Sequence, residues 1–111
     1  DVAGGFSAAG TNVQTWADNG ATPQGWRLEH QGGGWYELIP QNSTGCRLDV
    51  AGGVDANGTN VLIWTDNNLA PQRWRFELQS DGRHELIPQC AQGRRLDVAG
   101  ASPSDGANVH L

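Results

Sequence analysis

The stretch RLDVAGG, residues 47–53, returns as RRLDVAG at 94–100 and as DVAGG at 1–5. Leu48 and Val50 alternate with Asp49. That period of two puts two apolar side chains on the core face of a strand and turns the carboxylate outward, on rigid backbone. The AGG that follows supplies the glycines of a tight turn. The copies space Asp1, Asp49 and Asp97 at intervals of 48 residues, with no gap needed to align what lies between them.

The same offset organises the rest of the chain. It relates Asn12, Asn60 and Asn108 in GTNV, GTNV and GANV, and carries WADN (16–19) onto WTDN (64–67). It also carries PQGWRLE (23–29) onto PQRWRFE (71–77), and ELIPQ (37–41) onto ELIPQ (85–89). One unit holds four strand-like segments bounded by Gly, Pro, Asn or Asp. The alternation of Trp74, Phe76 and Leu78 with Arg73, Arg75 and Glu77 predicts a strand with one core-facing side. The units run over 1–36, 37–84 and 85–111. A four-strand period would also suit a propeller blade, but a propeller needs four or more. Three units predict an all-β fold with pseudo-threefold closure. Three complete units call for 144 residues, 33 more than the chain has, so about ten of twelve strands are expected. The counterparts of Trp16 through Leu48 are the ones without a third copy. Two unpaired edges and an unfilled core are costly in water. The chain is therefore expected to be a piece of a longer one or, second, to be completed by another copy.

Composition narrows the partners. A length of 111 residues is one domain, and sixteen glycines with five prolines and no Met suit short strands and turns. A net charge of −5 with only seven Lys+Arg gives no basic footprint for nucleic acid and would be repelled by anionic membranes. No apolar run reaches the roughly 20 residues of a membrane-spanning helix. Few cysteines, no lysine and a surface rich in Gly, Asn, Gln and Thr lead to the expectation of a secreted protein. Cys46 and Cys90 break the repeat, aligning with Arg94 and Asn42. They are expected either to bridge neighbouring connections or to remain two thiols. Asp55 and Asn57 lack the remaining ligands of a calcium loop and read as a hairpin turn. No metal or cofactor is expected.

The pairs Gln24-Gly-Trp26 and Gln72-Arg-Trp74, the RLDV strands, the NVQTW segment and the threefold period together resemble the ricin B-type β-trefoil lectins, among them the family 13 carbohydrate-binding modules. The resemblance covers the whole chain. It implies a β-trefoil with up to three sugar sites, and no reaction. Carried over by position, the first site would hold Asp1, Gln14, Trp16, Asn19 and Gln24. The second would hold Asp49, Trp64, Asn67 and Gln72, with Asn68 beside them. The third keeps Asp97 and His110. Pro23 and Pro71 stand where many members have an Asn that bonds the sugar, and Leu62 stands where the first unit has Gln14. The sites are therefore expected to be unequal.

These residue types suit a pyranose, which has one apolar C–H face and a rim of hydroxyls. A Trp offers a flat apolar surface, a carboxylate accepts from two neighbouring hydroxyls, and Asn or Gln reads the rest. Each residue also has a plainer reading. Trp26 and Trp74 alternate with charged residues and read as core, whereas Trp16 and Trp64 precede polar turns and read as platforms rather than buried caps. The three Asp residues could instead accept turn hydrogen bonds, and Gln24 and Gln72 could orient the Asp without touching a ligand. Asn12, Asn60 and Asn108 read as turn residues. Hydrolysis would need two carboxylates about 5–10 Å apart across one bond, and the repeated Asp residues fall in different lobes. A protein-binding trefoil would single out one loop, whereas this chain duplicates its Asp and Trp. The function expected is a non-catalytic module for neutral, galactose-configured glycans, appended to a secreted glycoside hydrolase. The alternatives are a xylan-binding module or a free lectin.

Overall fold

The computed structural model describes residues 1–111 as strands and short 3-10 turns only. The strands are β1 (Trp26–Gly32), β2 (Trp35–Pro40), β3 (Cys46–Val50), β4 (Val61–Thr65), β5 (Trp74–Leu78), β6 (His84–Pro88), β7 (Asp97–Val98) and β8 (Val109–His110). They form a four-stranded sheet in the order β1-β2-β5-β6 and two antiparallel pairs, β3-β4 and β7-β8. The first unit repeats the pattern of those pairs as a single bridge, Val2 to Val13. This is the β-trefoil that the family resemblance implies, with the threefold closure that the 48-residue period predicts.

Three segments close the threefold arrangement. Gly10 N–H donates to Ile63 O (2.7 Å), Gly58 N–H to Leu111 O (2.7 Å) and Gly106 N–H to Thr15 O (2.8 Å). The return bonds run from Ile63 N–H to Thr11 O, Leu111 N–H to Thr59 O and Thr15 N–H to Ala107 O, at 2.9, 2.9 and 3.0 Å. Each unit thus holds the next, and the third holds the first. Asn12, Asn60 and Asn108 lie within this annulus and bond one another in a cycle. Asn12 Nδ2 donates to Asn108 Oδ1 (2.8 Å), Asn108 Nδ2 to Asn60 Oδ1 (3.0 Å) and Asn60 Nδ2 to Asn12 Oδ1 (2.9 Å). These residues read as turn formers in the sequence; they are instead the polar lock between lobes. Only a side chain with one donor and one acceptor group can occupy every position of such a ring.

Beside the annulus lies the apolar core. Val13, Val61 and Val109, one from each unit, are buried with Val2, Leu48, Val50, Ile63 and Leu111. Trp74 is wholly buried and its indole N–H donates to Leu48 O at 3.0 Å, which satisfies the one polar atom that burial would otherwise strand. The core-facing side expected of its strand holds only at that end: Phe76 is half-buried and Leu78 is exposed. The β5-β6 hairpin runs past the core, and there Phe76 meets Tyr36 and His84 edge-on instead. Trp26, the counterpart of Trp74, is only half-buried. It lines a cleft of about 550 Å³ that reaches the core side chains Leu38, Leu48, Leu96 and Val109.

Cys46 and Cys90 form no disulfide. The repeat explains why: the two positions face different seams. Cys46 Sγ lies 3.9 Å from Ser7 O, at the seam of units 1 and 2. Cys90 is the counterpart of Asn42, whose side chain reaches back to Gly5 O and Phe6 O of the preceding unit, so Cys90 belongs to the seam of units 2 and 3. Burial pushes the Cys90 thiol up, which disfavours its thiolate form.

The asparagine ring gives a stability prediction. Asn60→Ala removes two hydrogen bonds and leaves a donor on Asn108 and an acceptor on Asn12 unpaired, a loss of about 1–3 kcal/mol. Urea unfolding of the variant measures it, and a loss below about 0.5 kcal/mol, the ordinary surface effect, would contradict the interlocking role.

Candidate functional site

In the second unit the strand register builds the site. β3 pairs with β4 as Arg47 with Trp64, Leu48 with Ile63, Asp49 with Leu62 and Val50 with Val61. Leu48, Val50, Val61 and Ile63 face the core, so Arg47, Asp49, Leu62 and Trp64 share the other face. The carboxylate does point away from the core. It does not reach open solvent, however, since Asp49 is only 5% exposed and both faces of β3 are covered.

Asp49 is held by Gln72. Gln72 Nε2 donates to Asp49 Oδ2 (2.8 Å) and to Thr65 O (2.9 Å), while Gln72 Oε1 accepts from Asn67 N–H (3.1 Å). With 0% exposure and these contacts, Gln72 has no surface left for a ligand. It is a positioning residue, one of the two readings its place in the sequence allowed. Burial drives the Asp49 carboxyl above its ordinary value of 3.8, and the Gln72 hydrogen bond offsets part of that rise.

A cavity of about 480 Å³ opens over Asp49, lined by Leu62, Trp64, Asn67, Leu69 and Pro71 and floored by the Ala51–Gly53 turn. Trp64 is 46% exposed, a half-open platform. A Cβ at Gly10 of the neighbouring unit would lie 3.5 Å from its ring, so the annulus turn sits close behind it. Gly53 holds φ +64, and a Cβ there would stand 3.0 Å from Pro71 Cγ. The proline thus packs on the turn and forms a wall of the cavity, where many family members place an amide. Asn67 Oδ1 accepts from Leu69 N–H, fixing the loop at the rim. Asn68 stands outside the lining: it takes a left-handed φ of 62° and its Oδ1 accepts from Arg73.

The first unit gathers Asp1, Gln14, Trp16 and Gln24 around its larger cleft, with Asp18 beside them. Gln24 Nε2 donates to Ala17 O and its Oε1 accepts from Asn19 N–H, repeating the backbone bonds of Gln72 without a bond to Asp1. Asn19 caps its own turn through Ala21 N–H and is not in the lining. Trp16 is 49% exposed, like Trp64. In the third unit Asp97 is exposed and pairs with His110, whose Nε2 lies 3.1 Å from Asp97 Oδ2. No cavity covers them. Leu69 and Pro71 are lining residues that the sequence reading did not place in a site. Their signal was the apolar run L-A-P (69–71) within an otherwise polar loop.

An all-β trefoil with an Asp and a half-exposed Trp repeated at one period defines a lectin-type scaffold. The family model of ricin-type β-trefoil lectin domain-like proteins matches residues 1–64 and again 43–111, and the chain belongs to that family. Among solved structures it resembles the designed threefold-symmetric protein ThreeFoil, at 35% identity and a TM-score of 0.95 over 99% of this chain and 77% of that one. It also resembles part of an exo-β-1,3-galactanase from Clostridium thermocellum, at 28% identity and a TM-score of 0.93 over 98% of this chain and 23% of the galactanase. A mosquitocidal holotoxin shares the fold at 15% identity and a TM-score of 0.86, over 95% of this chain and 13% of the toxin. No curated protein sequence is significantly similar to it.

Asp49 gives a signed pH prediction. Its raised carboxyl means that the folded protein binds a proton more readily than the unfolded chain, so this residue destabilises the fold increasingly as pH rises from 3.8 through the folded-state value. Asp49→Asn keeps an acceptor for Gln72 and removes the charge. The expected outcome is that wild type gains stability relative to Asp49→Asn on going from pH 7 to pH 4 in paired urea titrations; a relative loss would contradict the raised carboxyl.

Proposed function

We propose that the chain is a non-catalytic carbohydrate-binding module whose principal site lies in the second unit. The observation that carries this reading is the joining, in one cavity, of the Asp49 carboxylate, the half-exposed Trp64 ring and Asn67, with Gln72 holding the carboxylate from behind. A pyranose laid with its C–H face on Trp64 would bring two adjacent hydroxyls to Asp49, with charge-assisted hydrogen bonds that survive in so dry a place. The cavity contains a single carboxylate, which suits binding and not the paired acid and base of glycoside hydrolysis. Asp1, Gln14 and Trp16 would form a second site, and the exposed Asp97–His110 pair at most a weak third.

Galactose-configured glycans are the proposed ligands, supported by the likeness to part of an exo-β-1,3-galactanase. In this reading the module is secreted and holds an attached glycoside hydrolase on its polymer. Weak sites on one rigid body gain avidity on a repeating chain, so two or more matter together. Xylan is the second candidate ligand, because Pro71 removes the amide that many family members offer the sugar. A free lectin would carry the same sites.

Affinity electrophoresis and calorimetry with galactan and xylan oligosaccharides test the proposal. Asp49→Ala and Trp64→Ala are each expected to weaken binding at least tenfold, while Asn68→Ala leaves it within twofold. The tenfold figure corresponds to about 1.4 kcal/mol, the scale of one charge-assisted hydrogen bond or one aromatic contact. Unchanged binding in both of the first two variants would remove the second unit as the site.

A further inference from the structure

Register places one residue directly across from the conserved-in-repeat carboxylate of every unit. Asp49 pairs with Leu62 and Asp97 with His110. Asp1 and Gln14 exchange backbone bonds, from Gln14 N–H to Asp1 O and from the Asp1 amino group to Gln14 O, at 2.9 and 2.8 Å. This facing position therefore carries Gln in the first unit, Leu in the second and His in the third. A second difference lies in the loop, where Leu69 replaces the Ala21 of the first unit and is 58% exposed. The two leucines and Pro71 line the cavity of the second unit, and Asp49, Asn67 and the indole N–H of Trp64 are its only polar side-chain groups. In the first unit Gln14, Thr15, Asp18 and Gln24 add polar groups beside Asp1.

Resting on the reading of this cavity as a sugar site, we propose that it selects a hexose in which one hydroxyl is lost to leave a terminal methyl group or is capped by one, as in a 6-deoxyhexose or an O-methylated hexose. Leu62 and Leu69 are its specificity-determining residues. A hydroxyl pushed against Leu62 and Leu69 gives up its water and finds no partner, whereas a methyl group there removes apolar area from water on both sides. Asp49 and Asn67 together satisfy a few hydroxyls of a pyranose and leave its remaining corner to meet the apolar wall. The first site, with Gln14 in the facing position, accepts the hydroxylated sugar. The two sites then read different residues of a heterogeneous polymer.

The test uses the full chain in a Trp16→Ala background, so that the second site is read alone, with the Trp64 indole resonance as the probe. D-galactose is compared with 6-deoxy-D-galactose and with 6-O-methyl-D-galactose, which distinguishes a deoxy from an O-methyl ligand. The expected result is that one or both methyl-bearing sugars bind about tenfold more tightly than D-galactose, the scale of one apolar group in a fitted pocket. Leu62→Gln and the exposed, fold-neutral Leu69→Ala should each narrow that ratio to within about threefold. Equal binding of all three sugars, or a ratio that neither variant changes, overturns the selectivity while leaving the sugar site standing. Binding of none of them, with Trp64 unmoved, overturns the site and the selectivity with it.

Discussion

The cyclic hydrogen bonding of Asn12, Asn60 and Asn108 is the constraint on which the rest depends. Each side chain donates to one neighbour and accepts from the other, so the ring is satisfied only when all three units are present in one relative orientation. The backbone bonds from Gly10, Gly58 and Gly106 impose the same orientation on the strands that follow. From that annulus the chain runs directly into β4 and β8 and into the equivalent segment of the first unit. Trp64 and Trp16 stand at the far ends of two of these segments. The ring therefore sets the position of both aromatic platforms, although it touches neither.

In the second unit this frame supports a costly arrangement. A buried carboxylate with a raised pKa lowers the stability of the fold at neutral pH. Gln72, itself wholly buried, uses its amide to hold Asp49 and the loop of Asn67 at the same time. A carboxylate kept dry and fixed needs little reorganisation to accept hydroxyl hydrogen bonds, which is the physical link from packing to the proposed binding. Gln24 lacks the bond to Asp1, so the first site has the same parts without the same clamp. The inequality of the two candidate sites thus arises at two levels, in the residues that line the cavities and in those that brace them.

Much of this was legible in the sequence because the period is free of gaps. Asp49, Leu48 and Val50 declare a strand and its two faces by alternation, the threefold repetition predicts a threefold closure, and the QxW and RLDV motifs imply the trefoil. Trp74 and Trp64 separate into core and platform by their neighbours, charged alternation for one and polar turn for the other. What the sequence could not display are the contacts between units. The asparagine ring joins residues 48 and 96 positions apart, and one unit alone shows only an Asn before a Val. The same blindness produced the expectation of a Cys46–Cys90 bridge as an alternative to free thiols: both break the repeat, but only the folded chain shows that they face different seams. Leu69 and Pro71 read as loop residues until the fold brings the Gly53 turn against Pro71 and both into one cavity lining.

The central claim is that a site built on Asp49 and Trp64, braced from behind and separate from the buried core, binds sugar. The five tryptophans give a direct readout, because each indole N–H has its own resonance in a 15N-correlated NMR spectrum. Titration of wild-type protein with a galactan oligosaccharide is predicted to shift the Trp64 signal, and that of Trp16 as the first site fills. The Trp74 signal, locked to Leu48 O, should stay in place. A shift of Trp74 with Trp64 unmoved would contradict the account.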